Sequence, residues 1–136
     1  MTDLEGTVSS RLRDAGLRPT RQRLALGMLL WAGENRHVTA DKLHAEAKAA
    51  GYAVSMATVY NTLNQFVESG LLREVVMDGG VTCFDTNTEP HHHFLHEECG
   101  TLEDIPAERI ILPDLPQPLL KDGSVASVSV LIRIIN

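Results

Sequence analysis

Cysteine is almost missing from this chain of 136 residues: Cys83 and Cys99 are the only two, and they form no Cys-x-x-Cys pair. That excludes a disulfide framework and leaves both expected as reduced thiols. Aromatic residues are few as well, with three Phe, two Tyr and one Trp, so a core has to rest on Leu, Val, Ile and Ala, with a dimer interface to supplement it. No apolar run approaches the roughly 20 residues that cross a bilayer, and the polar start has no basic and apolar leader pattern. A cytoplasmic protein with no membrane partner is expected. No nucleophile elbow, phosphate-cradling glycine loop or His-Glu-x-x-His appears, so the sequence makes no case for an enzyme.

Positive charge is also in short supply, the net being −6, and that argues at first against a nucleic-acid partner. Its distribution reverses the argument. Up to Asp85 there are nine basic and ten acidic residues, and from residue 86 onward three and eight. Arg11, Arg13, Arg18, Arg21 and Arg23 lie close together with one acid, Asp14, among them. This stripe can meet a polyanion.

What is present in quantity is helix punctuation. Thr7 to Ala15 reads as a short helix ended by Gly16. Pro19 and Thr20 then introduce a second helix with Leu24, Met28, Leu29, Trp31 and Ala32 near one face, up to Gly33. Thr39 precedes a third, with Leu43, Ala47 and Ala50, closed by Gly51. Ser55 caps a fourth that buries Val59, Leu63, Phe66 and Val67 and ends at Gly70. The opposite face of this fourth helix holds Thr58, Tyr60, Asn61, Asn64 and Gln65, hydrogen-bonding groups in place of the usual Lys and Glu. Leu72 to Met77 and Val81 to Phe84 flank Asp78-Gly79-Gly80 and predict a hairpin. Helices followed by a hairpin are the order of a winged helix, whose last helix enters the major groove of double-stranded DNA.

The fold class expected is therefore α+β. An N-terminal winged-helix DNA-binding domain over residues 1–85 precedes a polar hinge over 86–90 and a small α/β dimerisation and ligand-sensing domain over 91–136. In the last, His93 to Leu95, Leu102 to Ile105 and Val125 to Ile135 are strand candidates. The third of these alternates Val128, Val130, Ile132 and Ile134 against Ser127, Ser129, Leu131 and Arg133. So long an apolar strand calls for a partner across a homodimer. A short helix is expected from Ala107 to Leu112, and Pro113, Pro116 and Pro118 then impose loop.

Four of the six histidines crowd into residues 91–96, as His91, His92, His93 and His96, with Glu97, Glu98, Cys99, Glu103 and Asp104 following. Imidazole binds zinc, ferrous iron and haem iron, and on a strand His91 and His93 point to one side. His96-x-x-Cys99 could form half a zinc site, but no second pair exists to complete four ligands, so structural zinc is not expected. Cys99 reads as a small buried or half-buried thiol. His37 and Asp85, taken alone, read as a surface histidine and a turn acid.

Ala15 to Arg23 (AGLRPTRQR), His37 to Leu43 (HVTADKL) and Ser55 to Phe66 (SMATVYNTLNQF), in this order and spacing, closely resemble the DNA-binding domain of the ferric uptake regulator (Fur) superfamily. His-His-His-Phe at 91–94, with Phe84-Asp-Thr-Asn87 before it, resembles the iron response regulator (Irr) branch in particular. The resemblance implies that Tyr60 reads bases and that Ser55, Thr58 and Asn61 lie near bases or phosphates. Arg18, Arg21 and Arg23 would touch backbone or an adjacent minor groove. It implies haem as an effector at His91, His92 and His93, in an iron-homeostasis regulator that binds operator DNA as a dimer and is released or inactivated by haem. No Cys-Pro motif precedes Cys83, so haem control would run through the histidines. The family's sensory metal site carries over to His37, Asp85 and a member of His91 to His93, with Fe2+, Mn2+ or Zn2+ as the ion. A second site carries over to His91, His93 and Asp104, lacking the ligand that falls near Val128. The alternatives are a repressor that requires ferrous iron or manganese, and a haem or metal carrier with no DNA role.

Overall fold

Each helix begins where a side chain replaces the missing backbone partner of its first turn. The computed structural model describes residues 3–98, 100–116, 118 and 123–135. Helix α1, Leu4–Asp14, starts three residues before the expected Thr7, because Asp3 supplies the cap and accepts from Gly6 N at 3.1 Å. Thr20 caps α2, Arg21–Trp31, through Arg23 N at 3.2 Å, and Thr39 caps α3, Ala40–Ala49, through Lys42 N at 3.2 Å. Ser55 caps α4, Met56–Glu68, through Thr58 N at 3.1 Å. The fully buried residues of α2 are Ala25, Leu26, Gly27 and Leu30, while the expected face of Leu24, Met28, Leu29 and Trp31 is half-buried. A helix apolar on nearly every side leaves its periodicity ambiguous.

These helices enclose one core, in which Leu12, Leu26, Leu43, Val59, Leu63 and Phe66 are wholly inaccessible. Each such side chain stabilises the fold by about 1.5–3 kcal/mol relative to exposure. At Gly27 a Cβ would stand 2.6 Å from Val8 Cγ1 and 2.8 Å from the Trp31 ring, so only glycine lets α1 cross α2 this closely. Trp31 packs on Phe66 with centroids 5.3 Å apart and is covered by the Arg11 guanidinium at 4.9 Å.

The hairpin is shorter than expected and has a third strand. Strand β1, His37–Thr39, pairs antiparallel with β3, Thr82–Asp85, which also pairs with β2, Arg73–Val76, giving the order β1-β3-β2. Leu72, read as strand, goes into the core instead, and the turn over Asp78–Gly80 is a 3₁₀ turn with Gly79 and Gly80 both at φ 78°. His37 lies opposite Asp85 in the β1–β3 register.

The chain divides into two units, Met1–Thr88 and Glu89–Asn136, the division falling within the 86–90 segment read as a hinge. In the second unit β4, His91–His96, is the central strand, antiparallel to β5, Thr101–Pro106, and parallel to β6, Leu131–Ile134. Two expectations are corrected here. The strand of residues 125–135 shrinks to four residues, paired with His93–His96 of β4, because at Val130 the backbone N–H turns to the His92 side chain instead of continuing the ladder. The helix expected over residues 107–112 is a single 3₁₀ turn, Ala107–Arg109, since Pro113 disfavours helical geometry at Leu112. Among the described residues the second unit is a three-stranded sheet with one 3₁₀ turn and no α-helix, and the chain as a whole has the α+β class expected.

Candidate metal centre and nucleic-acid face

Strand alternation sorts the triple histidine. His91 and His93 share one face of β4, their ring centroids 4.5 Å apart, and Asp104 of β5 lies opposite His93 in register. Asp104 Oδ1 is 3.6 Å from His91 Nε2 and 3.5 Å from His93 Nε2. Donors bound to one cation at about 2.1 Å stand roughly 3–3.5 Å apart, so Asp104 Oδ1 is close to ligand spacing from both imidazole nitrogens. His91 Nδ1 meets the Glu89 carbonyl at 2.5 Å. A carbonyl only accepts, so this contact puts the proton on Nδ1 and the lone pair on Nε2, the arrangement that a metal ligand needs.

His92 points the other way. Its Nδ1 accepts from Val130 N at 2.9 Å, and with the ladder bond from His93 N to the Val130 carbonyl at 3.0 Å it fastens the start of β6 to β4. The structure thus brings His91, His93 and Asp104 together and leaves His92 on the opposite face. His96 pairs with Glu103 at 2.8 Å. The readings of Cys99, as a thiol and as half of a zinc pair, lie outside the described residues.

The first unit holds its own donor pair. Asp85 is completely buried, and a buried carboxylate is costly unless compensated. Its Oδ1 accepts from Asn87 N at 2.9 Å, and its Oδ2 lies 3.4 Å from His37 Nε2. One residue beyond this pair Arg36 forms a two-pronged ion pair with Glu46. The shared hydrogen bonds raise the Arg36 pKa and hold the Glu46 carboxyl below its ordinary value. Cys83, next to the pair on β3, has its thiol pushed up by burial and then by the Asp85 charge. Periodicity did not mark β1 or its register with β3, and so could not join His37 to Asp85.

On α4 the polar residues are presented as a band. Ser55, Ala57, Tyr60 and Asn61 are exposed, Tyr60 to 44%, and Thr58 is half-buried with its Oγ1 accepting from Ser55 Oγ at 2.9 Å. The Tyr60 ring is braced edge-on against Phe84, centroids 6.5 Å apart. Arg18 and Arg21 are exposed. Arg23 is engaged within the unit. Its Nε and Nη2 donate to Gln65 Oε1 at 3.3 and 3.0 Å and its Nη1 to the Arg18 carbonyl at 2.9 Å. It buttresses α4 from α2 and holds the backbone that carries Arg18.

Among the described residues, four α-helices, a three-stranded sheet and a second sheet unit that bears histidine and carboxylate side chains define a winged-helix architecture followed by a small sheet module. Residues 14–127 match the model of the ferric uptake regulator family. The peroxide-responsive repressor PerR of Staphylococcus aureus is 35% identical over 102 residues, 75% of this chain and 68% of that protein. The chain belongs to the ferric uptake regulator family and is a transcriptional regulator of that family. Two solved structures share its fold. The Vibrio cholerae ferric uptake regulator superposes with a TM-score of 0.71 at 24% identity, covering 92% of this chain and 96% of that one. The Pseudomonas aeruginosa regulator, solved with manganese, gives 0.71 at 24%, covering 95% and 97%. Among the described residues no helix is long and apolar enough to cross a membrane.

Proposed function

We propose that this protein is a homodimeric, cytoplasmic regulator that binds operator DNA through α4 and its wing under the control of a divalent cation, manganese or ferrous iron. The observation that carries the reading is the convergence of His91 Nε2 and His93 Nε2 on one oxygen of Asp104, with the His91 tautomer already fixed for coordination. His37 and Asp85 are the donors of the first unit. A bound cation supplies the positive charge that these carboxylates and imidazoles face. The manganese of the Pseudomonas aeruginosa structure and the peroxide response of the Staphylococcus aureus relative are consistent with such a site.

Exposed Tyr60 and Asn61 offer hydrogen-bonding edges to bases, and Arg18 and Arg21 offer charge to phosphates. The exposed apolar residues Val128, Ile132 and Ile135 of the second unit support a dimer that covers them. The reading is of a regulator and not an enzyme.

A second reading keeps haem as the effector, in the manner of the Irr branch, on the strength of His91-His92-His93-Phe94. The side chains present do not favour it. A porphyrin needs an open face beside its axial imidazole, yet each of the three histidines is only 5% exposed, and His92 Nδ1 already accepts from Val130 N.

The test is a titration of purified protein on an AT-rich operator duplex, with Mn2+, Fe2+, haem or peroxide in separate arms. Binding that requires the cation supports the first reading; apo-protein that binds and is released by haem overturns it in favour of the second. A lack of salt-sensitive, sequence-preferring DNA binding in every arm would point to the haem or metal carrier with no DNA role. His93→Ala or Asp104→Ala should weaken Mn2+ binding by at least about 100-fold, and His92→Ala by no more than about tenfold. Equal losses at all three positions would remove the division between the two faces of β4.

A further inference from the structure

The first unit contains a set of contacts that a cation site does not by itself require. Arg36, the residue before His37, donates its backbone N–H to Thr86 Oγ1 at 2.8 Å, and Thr86, the residue after Asp85, donates its own N–H to the Arg36 carbonyl at 3.0 Å. Since His37 and Asp85 face each other in register, this exchange closes the end of the ladder on which both donors sit. The Arg36 guanidinium is fixed in turn at three points. Nη1 and Nη2 donate to the two Glu46 oxygens at 2.8 and 2.6 Å, and Nη1 also donates to the Leu29 carbonyl at 3.3 Å. Glu46 belongs to α3, and Leu29 lies near the end of α2, where carbonyls begin to lack intrahelical partners.

A single hydrogen bond pivots, whereas a two-pronged guanidinium–carboxylate pair resists both sliding and rotation. The connection from α2 to β1, residues 32–36, is irregular and would absorb a shift at His37 if it were tethered only at its ends. It is anchored in its last residue to both neighbouring helices. Thr86 is 9% exposed and Asp85 fully buried, so the other side of the ladder is equally confined.

We propose that Arg36, Glu46 and Thr86 are positioning residues for the His37–Asp85 pair, setting its spacing and passing any change in that spacing to α2 and α3. The proposal rests on the cation reading above. Drawing His37 Nε2 and Asp85 Oδ2 toward one ion moves the ladder end, and the Arg36–Glu46 pair delivers that movement to α3.

Hydrogen–deuterium exchange on the full chain, with and without MnCl2, tests this by peptide. In the wild type Mn2+ should slow exchange in the peptides holding His37 and Asp85 and also in α3. In Glu46→Gln the slowing at His37 and Asp85 should remain, the Mn2+-dependent slowing in α3 should shrink about fivefold, and Mn2+ affinity should fall about tenfold. Arg36→Lys keeps the charge without the two-pronged geometry and should behave the same way, which covers the case in which Glu46→Gln does not fold. The readout is the difference made by Mn2+ within each variant, so a general loosening of α3 does not imitate it. An α3 response equal to that of the wild type in either folded variant overturns the proposal. Absence of any Mn2+ effect at His37 and Asp85 in the wild type overturns the cation reading and this proposal with it.

Discussion

The two units solve the same problem of burial with unequal means. The first surrounds a continuous core in which Phe66, Leu63, Leu43 and Leu26 are inaccessible to solvent. The second buries Leu95, Leu102 and Ile105 to 6–7% exposure and leaves Val125, Ile132 and Ile135 at 37–74%. Among the described residues its other buried side chains are histidines. Stability that is missing from apolar burial has to come from elsewhere in such a unit, through a partner chain, a bound ion, or hydrogen bonds such as those of His92 and Val130. The first unit carries its own apolar core, and the second, among the described residues, leaves more of its apolar side chains uncovered.

The largest effect that would test this contrast is expected in the first core. Phe66→Ala should cost about 3–5 kcal/mol in equilibrium denaturation, while Leu102→Ala, in a sheet with one thin apolar layer, should cost about 2 kcal/mol or less. Equal costs would mean that the second unit is as self-contained as the first. Next in size is Ile132→Asp. This residue is 37% exposed within the chain, so its replacement should leave the fold intact by circular dichroism, abolish the dimer in sedimentation velocity, and lower operator affinity about 100-fold through loss of paired engagement. A variant that remains dimeric would place the interface elsewhere.

A smaller effect separates the ion pairs of the two units. In the first, the Glu46 pKa is lowered by its hydrogen bond to Arg36. A depressed carboxyl contributes stability that is present above the unfolded value of about 4.3 and is lost as pH falls through the folded value beneath it. Glu46→Gln should therefore destabilise at pH 7 and converge with the wild type in acid. Because both side chains are about a quarter exposed, the difference should be no more than about 1 kcal/mol. A constant difference across pH 3–7 would assign the loss to packing.

How much of this was legible without coordinates follows from how local each signal is. Thr20, Thr39 and Ser55 announce their helices because a cap needs only its own first turn. The common face of His91 and His93 follows from strand alternation, but the third donor, Asp104, is placed by the β4–β5 register, which no local pattern encodes. Strand β1 has three residues and exists through β3, and Arg23 meets Gln65 at 42 positions' distance, so a stripe of arginines could not show that contact. The alternation of residues 125–135 was real but overstated the strand, since pairing length belongs to the partner as much as to the sequence that pairs.

Cys83 provides the finest probe of the contrast, because it reports the first unit's integrity without contributing charge to it. Its thiol is 6% exposed and its pKa is raised, chiefly by burial and further by the Asp85 carboxylate. Alkylation proceeds through the thiolate, so both the thiolate fraction and access are suppressed in the native unit. Since the neutral thiol persists through neutral pH in folded and unfolded chains alike, its ionisation adds no pH dependence to stability there. Iodoacetamide should label Cys83 slowly at pH 7.5 in the native protein and rapidly in denaturant, with peptide mass spectrometry separating it from Cys99. If Phe66→Ala accelerates Cys83 labelling and Ile132→Asp does not, the first unit opens on its own account. Acceleration by both would make the two units a single cooperative structure.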